Sequence, residues 1–274
     1  MRQEAFFLGL GAQRRFCLAT RPRGTPRGAV LHVPPFAEEL NRSRRMAALA
    51  AQAMARAGWL VLQIDHHGCG DSEGDFADAT WDSWLHDLDT AHAWLIEQTT
   101  GPICLWTLRA GSLLAASWLS GQAQARPLPM VCWQPVINGG QYLTQFLRIR
   151  LANEMADGAA ARTLMATLRD DLQAGRPALV AGYPLSSAVA RGLESAVLTM
   201  VSNHAAPITL LEVSPGAIPV LTPATQQLLH TLQKLGMPRE AAAVSGPKFW
   251  QTAEIEVAPA LIAPTMAAFE AASP

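Results

Sequence analysis

Strong charge, metal-ligand cysteine spacing and long apolar runs are all missing from this chain, and each absence closes a class of function. Only 16% of the 274 residues are charged and the formal net charge is −1. Such a balance offers no basic face to nucleic acid or to an anionic membrane. The arginines at Arg14 and Arg15, and at Arg42, Arg44 and Arg45, form local clusters, and clusters this short are more often solvated surface than binding patches. Cys17, Cys69, Cys104 and Cys132 stand in no Cys-x-x-Cys or metal-binding spacing, so neither a metal nor a cofactor is expected. Buried free thiols fit a reducing compartment. No stretch reaches the roughly 18 apolar residues of a transmembrane helix. The apolar run after Met1-Arg2-Gln3-Glu4 is too short for the core of a signal peptide. A cytoplasmic protein with no membrane span is the expectation.

What is present is a core-forming composition, 50% apolar, in which strand and helix patterns alternate. Residues 4–9 and 14–20 read as a strand pair, and 29–33 as a buried strand ended by Pro34-Pro35. Residues 43–57 read as a helix closed by Gly58, 59–64 as a strand, and 82–97 as a helix. Strands follow at 103–108 and 130–134, with a small-residue helix from 110 to 120 between them. Alternation of this kind predicts an α/β fold with a mostly parallel sheet and helices on both faces. From 139 to 199 the pattern becomes helical (141–157, 159–174, 186–194), which predicts a helical cap inserted within a single domain of residues 1–274. Strands return at 207–213 and 241–244, and a helix over 258–271 ends the chain. No internal repeat is visible.

Strand, turn and small-residue helix at 103–120 have the layout of a nucleophile elbow, where Gly-x-Ser-x-Gly would present a serine above the sheet. The five positions here are Thr107-Leu108-Arg109-Ala110-Gly111. The element order resembles the α/β-hydrolase superfamily. The residues His32 to Arg45, with Pro34-Pro35-Phe36-Ala37-Glu38-Glu39 at their centre, narrow the resemblance further. So do Asp65 to Ser72, Trp133-Gln134-Pro135, Gly182-Tyr183-Pro184 and Phe249 to Ile255. Together they resemble the second hydrolase-fold protein that accompanies the exosortase A (PEP-CTERM protein-sorting) system. The resemblance implies the α/β-hydrolase fold, a link to exopolysaccharide production, a possible partner protein of that system, and a hydrolase label that comes mainly from the fold.

Acyl transfer on this fold needs a nucleophile, a histidine base, an orienting acid and two backbone N–H donors. The N–H of Ala110 and the Pro35-Phe36-Ala37 loop can supply the donors. Glu212 is the carboxylate nearest the acid station, as a site residue or as an ordinary strand residue. The segment after the last strand, Val244 to Thr252, has no histidine, and His230 falls earlier, in a helical segment. Ser112 lies three residues past the apex, and Thr107 suits strand packing. His66 and His67 stand at the end of a parallel strand, where ligand sites form, yet Asp65-His66-His67-Gly68 also reads as a polar turn. Gly68-Cys69-Gly70-Asp71-Ser72 reads as structural. The tryptophans read mostly as core, with Trp106 and Trp250 as candidate pocket walls.

An arginine at the apex brings a permanent charge and a fixed fork of donors suited to carboxylate or phosphate. Unpaired in a cleft it would cost several kcal/mol. It is therefore expected to pair with Glu38 or Glu39, or with a small acidic or acyl ligand. Two functions stay open. One is an ester or thioester hydrolase with a displaced nucleophile. The other is a non-catalytic binder of an acidic ligand or a partner protein.

Overall fold

Adjacent strands β3 (Gly28–Val33) and β5 (Ile103–Leu108) send their chains to opposite sides of the sheet, and this divergence positions everything that follows. The computed structural model describes residues 1–121, 128–154, 157–203 and 206–271. The chain begins with an antiparallel pair, β1 (Arg2–Leu8) and β2 (Arg15–Arg21). After β3, helix α1 (Ala37–Arg56) crosses to β4 (Trp59–Ile64), and α2 (Trp81–Gln98) returns to β5. Helix α3 (Gly111–Gly121) then leads to β6 (Met130–Trp133).

Between β6 and the next sheet strand lie α4 (Gly139–Asn153), α5 (Gly158–Gln173), a hairpin of β7 (Ala178–Val180) and β8 (Tyr183–Leu185), and α6 (Ser187–Ser195). The chain re-enters the sheet at β9 (Ile208–Ser214), crosses by α7 (Pro223–Lys234) to β10 (Arg239–Ser245), and ends on α8 (Ile262–Ala271). The eight strands run in the order β1-β2-β4-β3-β5-β6-β9-β10, parallel from β4 onward. This is the α/β-hydrolase fold.

Period-two alternation on the central strands builds two cores. Leu31, Leu62 and Leu105 face α2 and α3. Val30, Val61, Cys104 and Trp106 face α1 and α8, with Met54, Phe249 and Phe269. Each fully buried side chain of this size contributes about 1.5–3 kcal/mol. The strands are buried on both faces, which is why they read as unbroken apolar runs.

Four features differ from the sequence expectations. Helix α1 starts at Ala37 and not at residue 43, because the polar first turn hides its period while Glu38 and Glu39 favour a helix N-terminus. The β7–β8 hairpin lies between the helices expected over 159–174 and 186–194, where no strand is expected; its strands are three residues each, too short to show alternation. The last helix opens with a 3-10 turn at Pro259–Leu261. The helix expected over 141–157 ends at Asn153, and residues 155 and 156 lie outside the described residues.

Candidate functional site

Ligand sites on open parallel sheets form outside the carboxyl ends of strands where chain direction switches. Here that point is the gap between the loops following β3 and β5. Pro34-Pro35-Phe36 leaves β3, and neither proline can donate an N–H, so α1 begins only after them. On the other side Arg109 turns the chain from β5 into α3. Its φ is 53°, the left-handed region, as is that of Ala37 at the start of α1. For a residue with a side chain this conformation costs about 1–2 kcal/mol. The turn is held by Arg109 N–H to the Trp133 carbonyl (3.0 Å) and by Ser112 N–H to the Arg109 carbonyl (3.0 Å). A Cβ on Gly111 would strike the carbonyls of Val33 and Pro34, so only glycine lets α3 start this close to β3. The N–H of Ala110 takes no hydrogen-bond partner among the described residues.

The Arg109 guanidinium is held by two hydrogen bonds and two aromatic rings. Nε donates to Glu39 Oε1 at 3.0 Å and Nη1 to the Gln134 carbonyl at 3.3 Å. The second Glu39 oxygen accepts from the Tyr142 hydroxyl at 2.8 Å. The rings of Trp250 and Tyr142 lie 5.4 and 5.6 Å from the guanidinium carbon, within cation–π range. Side-chain exposure is only 17% for Arg109 and 19% for Glu39. Burial works against the guanidinium charge, but the Glu39 charge, Tyr142 and the Glu39 hydrogen bond together outweigh it and raise the Arg109 pKa. Burial and then the Glu39 charge push Tyr142 well above its ordinary range, so the phenol stays a donor.

Of the two acids expected as partners, Glu39 turns inward and Glu38 outward. Glu38 accepts from Arg42 Nε and from the Tyr183 hydroxyl, both at 3.0 Å. Phe36 packs edge-on to Tyr142 and Phe146 and tilted against Trp84. Sequence reading missed Tyr142 and the Gln134 carbonyl. Neither carries a local signal, since Tyr142 reaches Glu39 across 103 positions from inside the insertion.

The other candidate residues are placed elsewhere. Ser112 is fully buried, its hydroxyl 2.7 Å from that of Thr107. Trp106 is wholly buried, stacked on His32 and edge-on to Trp133, and belongs to the core and not to the guanidinium's shell. Glu212 is buried and accepts from Thr222 N–H (2.6 Å), Thr222 Oγ1 (2.8 Å) and Thr225 Oγ1 (2.6 Å). These bonds tie it to the first turn of α7, away from Arg109. His66 is buried and stacked on Trp84, with Nδ1 3.6 Å from Asp87 Oδ2. The His67 N–H donates to Asp87 at 2.8 Å. No hydrogen bond joins either histidine to Arg109 or Ser112 among the described residues. Asp71 and Ser72 serve the turn: Ser72 Oγ accepts from Phe16 N–H, and Asp71 N–H donates to Asp65. His230 is exposed on α7.

The cysteines are free and buried, and burial pushes Cys17 and Cys104 up to about 12, which makes them poor nucleophiles. A cavity of about 50 Å³ lies between α1 and β2, β3 and β4, lined by His32, Ser43, Arg44, Gln63 and Asp65 among others but not by Arg109, Glu39, Tyr142 or Trp250. It has room for a water or two. No group of three or more metal-ligating side chains occurs among the described residues, and no described helix is long and apolar enough to cross a membrane.

Residues 24–198, which run from β3 through the elbow into the insertion, match the model of the serine aminopeptidase (S33) family of hydrolases. The chain belongs to the S33 family. Structural likeness to this S33 chain extends over its whole length. Est1E from Butyrivibrio proteoclasticus, solved with ferulic acid, superposes with a TM-score of 0.65 at 13% identity, covering 97% of both chains. The α/β hydrolase GrgF from Penicillium sp. sh18 gives 0.62 at 14% identity over 100% of this chain and 99% of its own. A thermostable carboxyl esterase from Bacillus coagulans, solved with glycerol, gives 0.60 at 15% identity over 89% and 90%. At these identities the likeness is one of fold. No protein of curated function matches the sequence. Within the S33 frame, the elbow station carries Arg109, and the loop after β10 contributes Trp250 to it.

Proposed function

We propose that this S33-family chain binds an acidic ligand at the elbow and does not perform serine-based acyl transfer. The observation that carries the reading is the Arg109 shell: a guanidinium at the apex, paired with Glu39 and faced by Trp250 from the loop after β10. A serine mechanism needs a nucleophile at the first place and a histidine from the second. A cation and an aromatic ring stand there, and they suit an anion. The N–H of Ala110, at the start of α3 and without a partner among the described residues, adds to that preference.

In this reading residues 139–199 act as a helical cap on a single domain of residues 1–274, and the protein works in the cytoplasm. The motifs around Pro34-Pro35-Phe36, Gly182-Tyr183-Pro184 and Phe249-Trp250 support placing it beside an exosortase A system, with a role in exopolysaccharide or protein-sorting metabolism.

The test uses the purified protein with short-chain p-nitrophenyl esters, acyl thioesters and a fluorophosphonate probe. The expected result is no turnover and no labelling, with thermal stabilisation by carboxylates or phosphate that disappears in Arg109→Ala. Arg109→Ser is expected to stay inactive, because among the described residues no histidine is in place to take its proton. Ester turnover that depends on His66 or His67 would overturn the proposal in favour of a rearranged hydrolase.

A further inference from the structure

Both tyrosines of the chain lie between β6 and β9, and they donate to successive glutamates at the start of α1. The two acids are not equivalent. Glu38 is half exposed and shared between Arg42 and Tyr183 at the surface. Glu39 points inward, with one oxygen on Arg109 Nε and the other on the Tyr142 hydroxyl. Two donors from different parts of the chain thus converge on the two oxygens of a single carboxylate. Aromatic rings contact the guanidinium, and Phe36 extends the apolar wall beside Tyr142.

We infer that Glu39 is a built-in ligand mimic, and that the site takes a monocarboxylate on an apolar chain, which displaces Glu39 from Arg109 and Tyr142. The inference rests on the anion-binding reading above and narrows it. One negative charge balances the single cation that contacts Glu39 among the described residues. A phosphate dianion would leave a charge uncompensated at a site where the pair is less than one-fifth exposed. A planar carboxylate also reproduces the two-oxygen geometry that Glu39 already shows. Tyr142 then acts as the specificity-determining donor, because its hydroxyl serves the second oxygen.

Glu39 is tethered beside its donors, so it competes at an effective concentration of millimolar or more. Removing its charge should therefore unmask the site. The experiment is calorimetric titration of wild type, Glu39→Gln, and Glu39→Gln combined with Arg109→Ala or Tyr142→Phe, using hexanoate and inorganic phosphate. Hexanoate is expected to bind Glu39→Gln at least tenfold tighter than wild type and tighter than phosphate. Binding should be lost with Arg109→Ala and weakened several-fold with Tyr142→Phe. If Glu39→Gln does not fold, the Arg109 Nε–H resonance of wild type provides the readout, and it should move with hexanoate and not with phosphate.

Arg109-dependent binding that is no tighter in Glu39→Gln, or that favours phosphate, overturns this inference and leaves the anion-binding reading standing. No Arg109-dependent binding of either anion overturns both.

Discussion

Arg15 on β2 and Asp87 on α2 form an ion pair inside the protein, Nε to Oδ1 at 2.5 Å, with 6% and 2% of their side chains exposed. The same carboxylate accepts the His67 N–H and faces His66. Burial opposes the charge of Asp87. The His66 ring, the His67 N–H and Arg15 together outweigh burial and hold the carboxyl below its ordinary range. Breaking such a pair from one side strands a charge at a cost of about 3–5 kcal/mol. Asp87→Ala should lower unfolding stability by that amount in urea titrations, and a loss under about 1 kcal/mol would mean that water screens the pair. Because the folded pKa is depressed, the contribution of Asp87 is present above about pH 4 and disappears as pH falls below it.

His32 supplies a second pH dependence, in a higher window. Its Nδ1–H donates to the Trp106 carbonyl at 3.1 Å, and the ring stacks on the Trp106 indole. Burial nevertheless lowers its pKa from 6.5 to about 4. Between those values the unfolded chain binds a proton that the folded protein refuses. Stability is therefore full above about pH 6.5 and falls as pH drops towards 4, by about 3 kcal/mol over the window. His32→Gln should remove most of that slope when urea stability is compared at pH 7 and pH 4.5. Equal slopes in the two proteins would refute the assignment.

Gly111→Ala should be far more harmful than glycine-to-alanine changes usually are near a helix start. The added methyl meets the Val33 and Pro34 carbonyls, which belong to backbone and cannot swing away. Overpacking of this kind costs about 1–3 kcal/mol. It should also move Arg109, so circular dichroism melting and near-ultraviolet tryptophan signals should change together. Unchanged melting would show that α3 can slide off β3.

Glu212 separates a structural acid from a site acid. Three donors from Thr222 and Thr225 converge on it. Glu212→Gln turns one acceptor towards those donors as an amide, and a charged hydrogen bond is worth about 1.5–3 kcal/mol. A loss of that order in stability is expected, with hexanoate affinity in the Glu39→Gln background unchanged. A shift in affinity without a shift in stability would return Glu212 to the site.

Most of the fold was legible along the chain. Strands such as Trp59–Ile64 and Ile103–Leu108 show their boundaries because apolar runs buried on both faces end abruptly at polar turns. The elbow was legible for the same reason, as was the arginine at its apex. Helix α1 showed its start less clearly, and the β7–β8 hairpin not at all, since three-residue strands carry too few positions for a period. Trp106 read as a pocket wall because sequence proximity to the elbow does not say which sheet face a strand residue takes. Alternation places it opposite the α2 and α3 side, against His32 and Trp133.

The chain alone was enough to establish an α/β sheet, with Arg109 at the turn after the fifth strand and no histidine from Val244 to Thr252, because these follow from residue identity and local period. It also limited the partner of Arg109 to Glu38, Glu39 or a ligand, by charge. Only the folded molecule chose Glu39, turned Glu38 outward, and brought Tyr142 and Trp250 to the same guanidinium. Those contacts join α1, the elbow, the segment between β6 and β9 and the loop after β10, which lie far apart in sequence. No local rule encodes distances of that kind; the packing of helices on the sheet sets them.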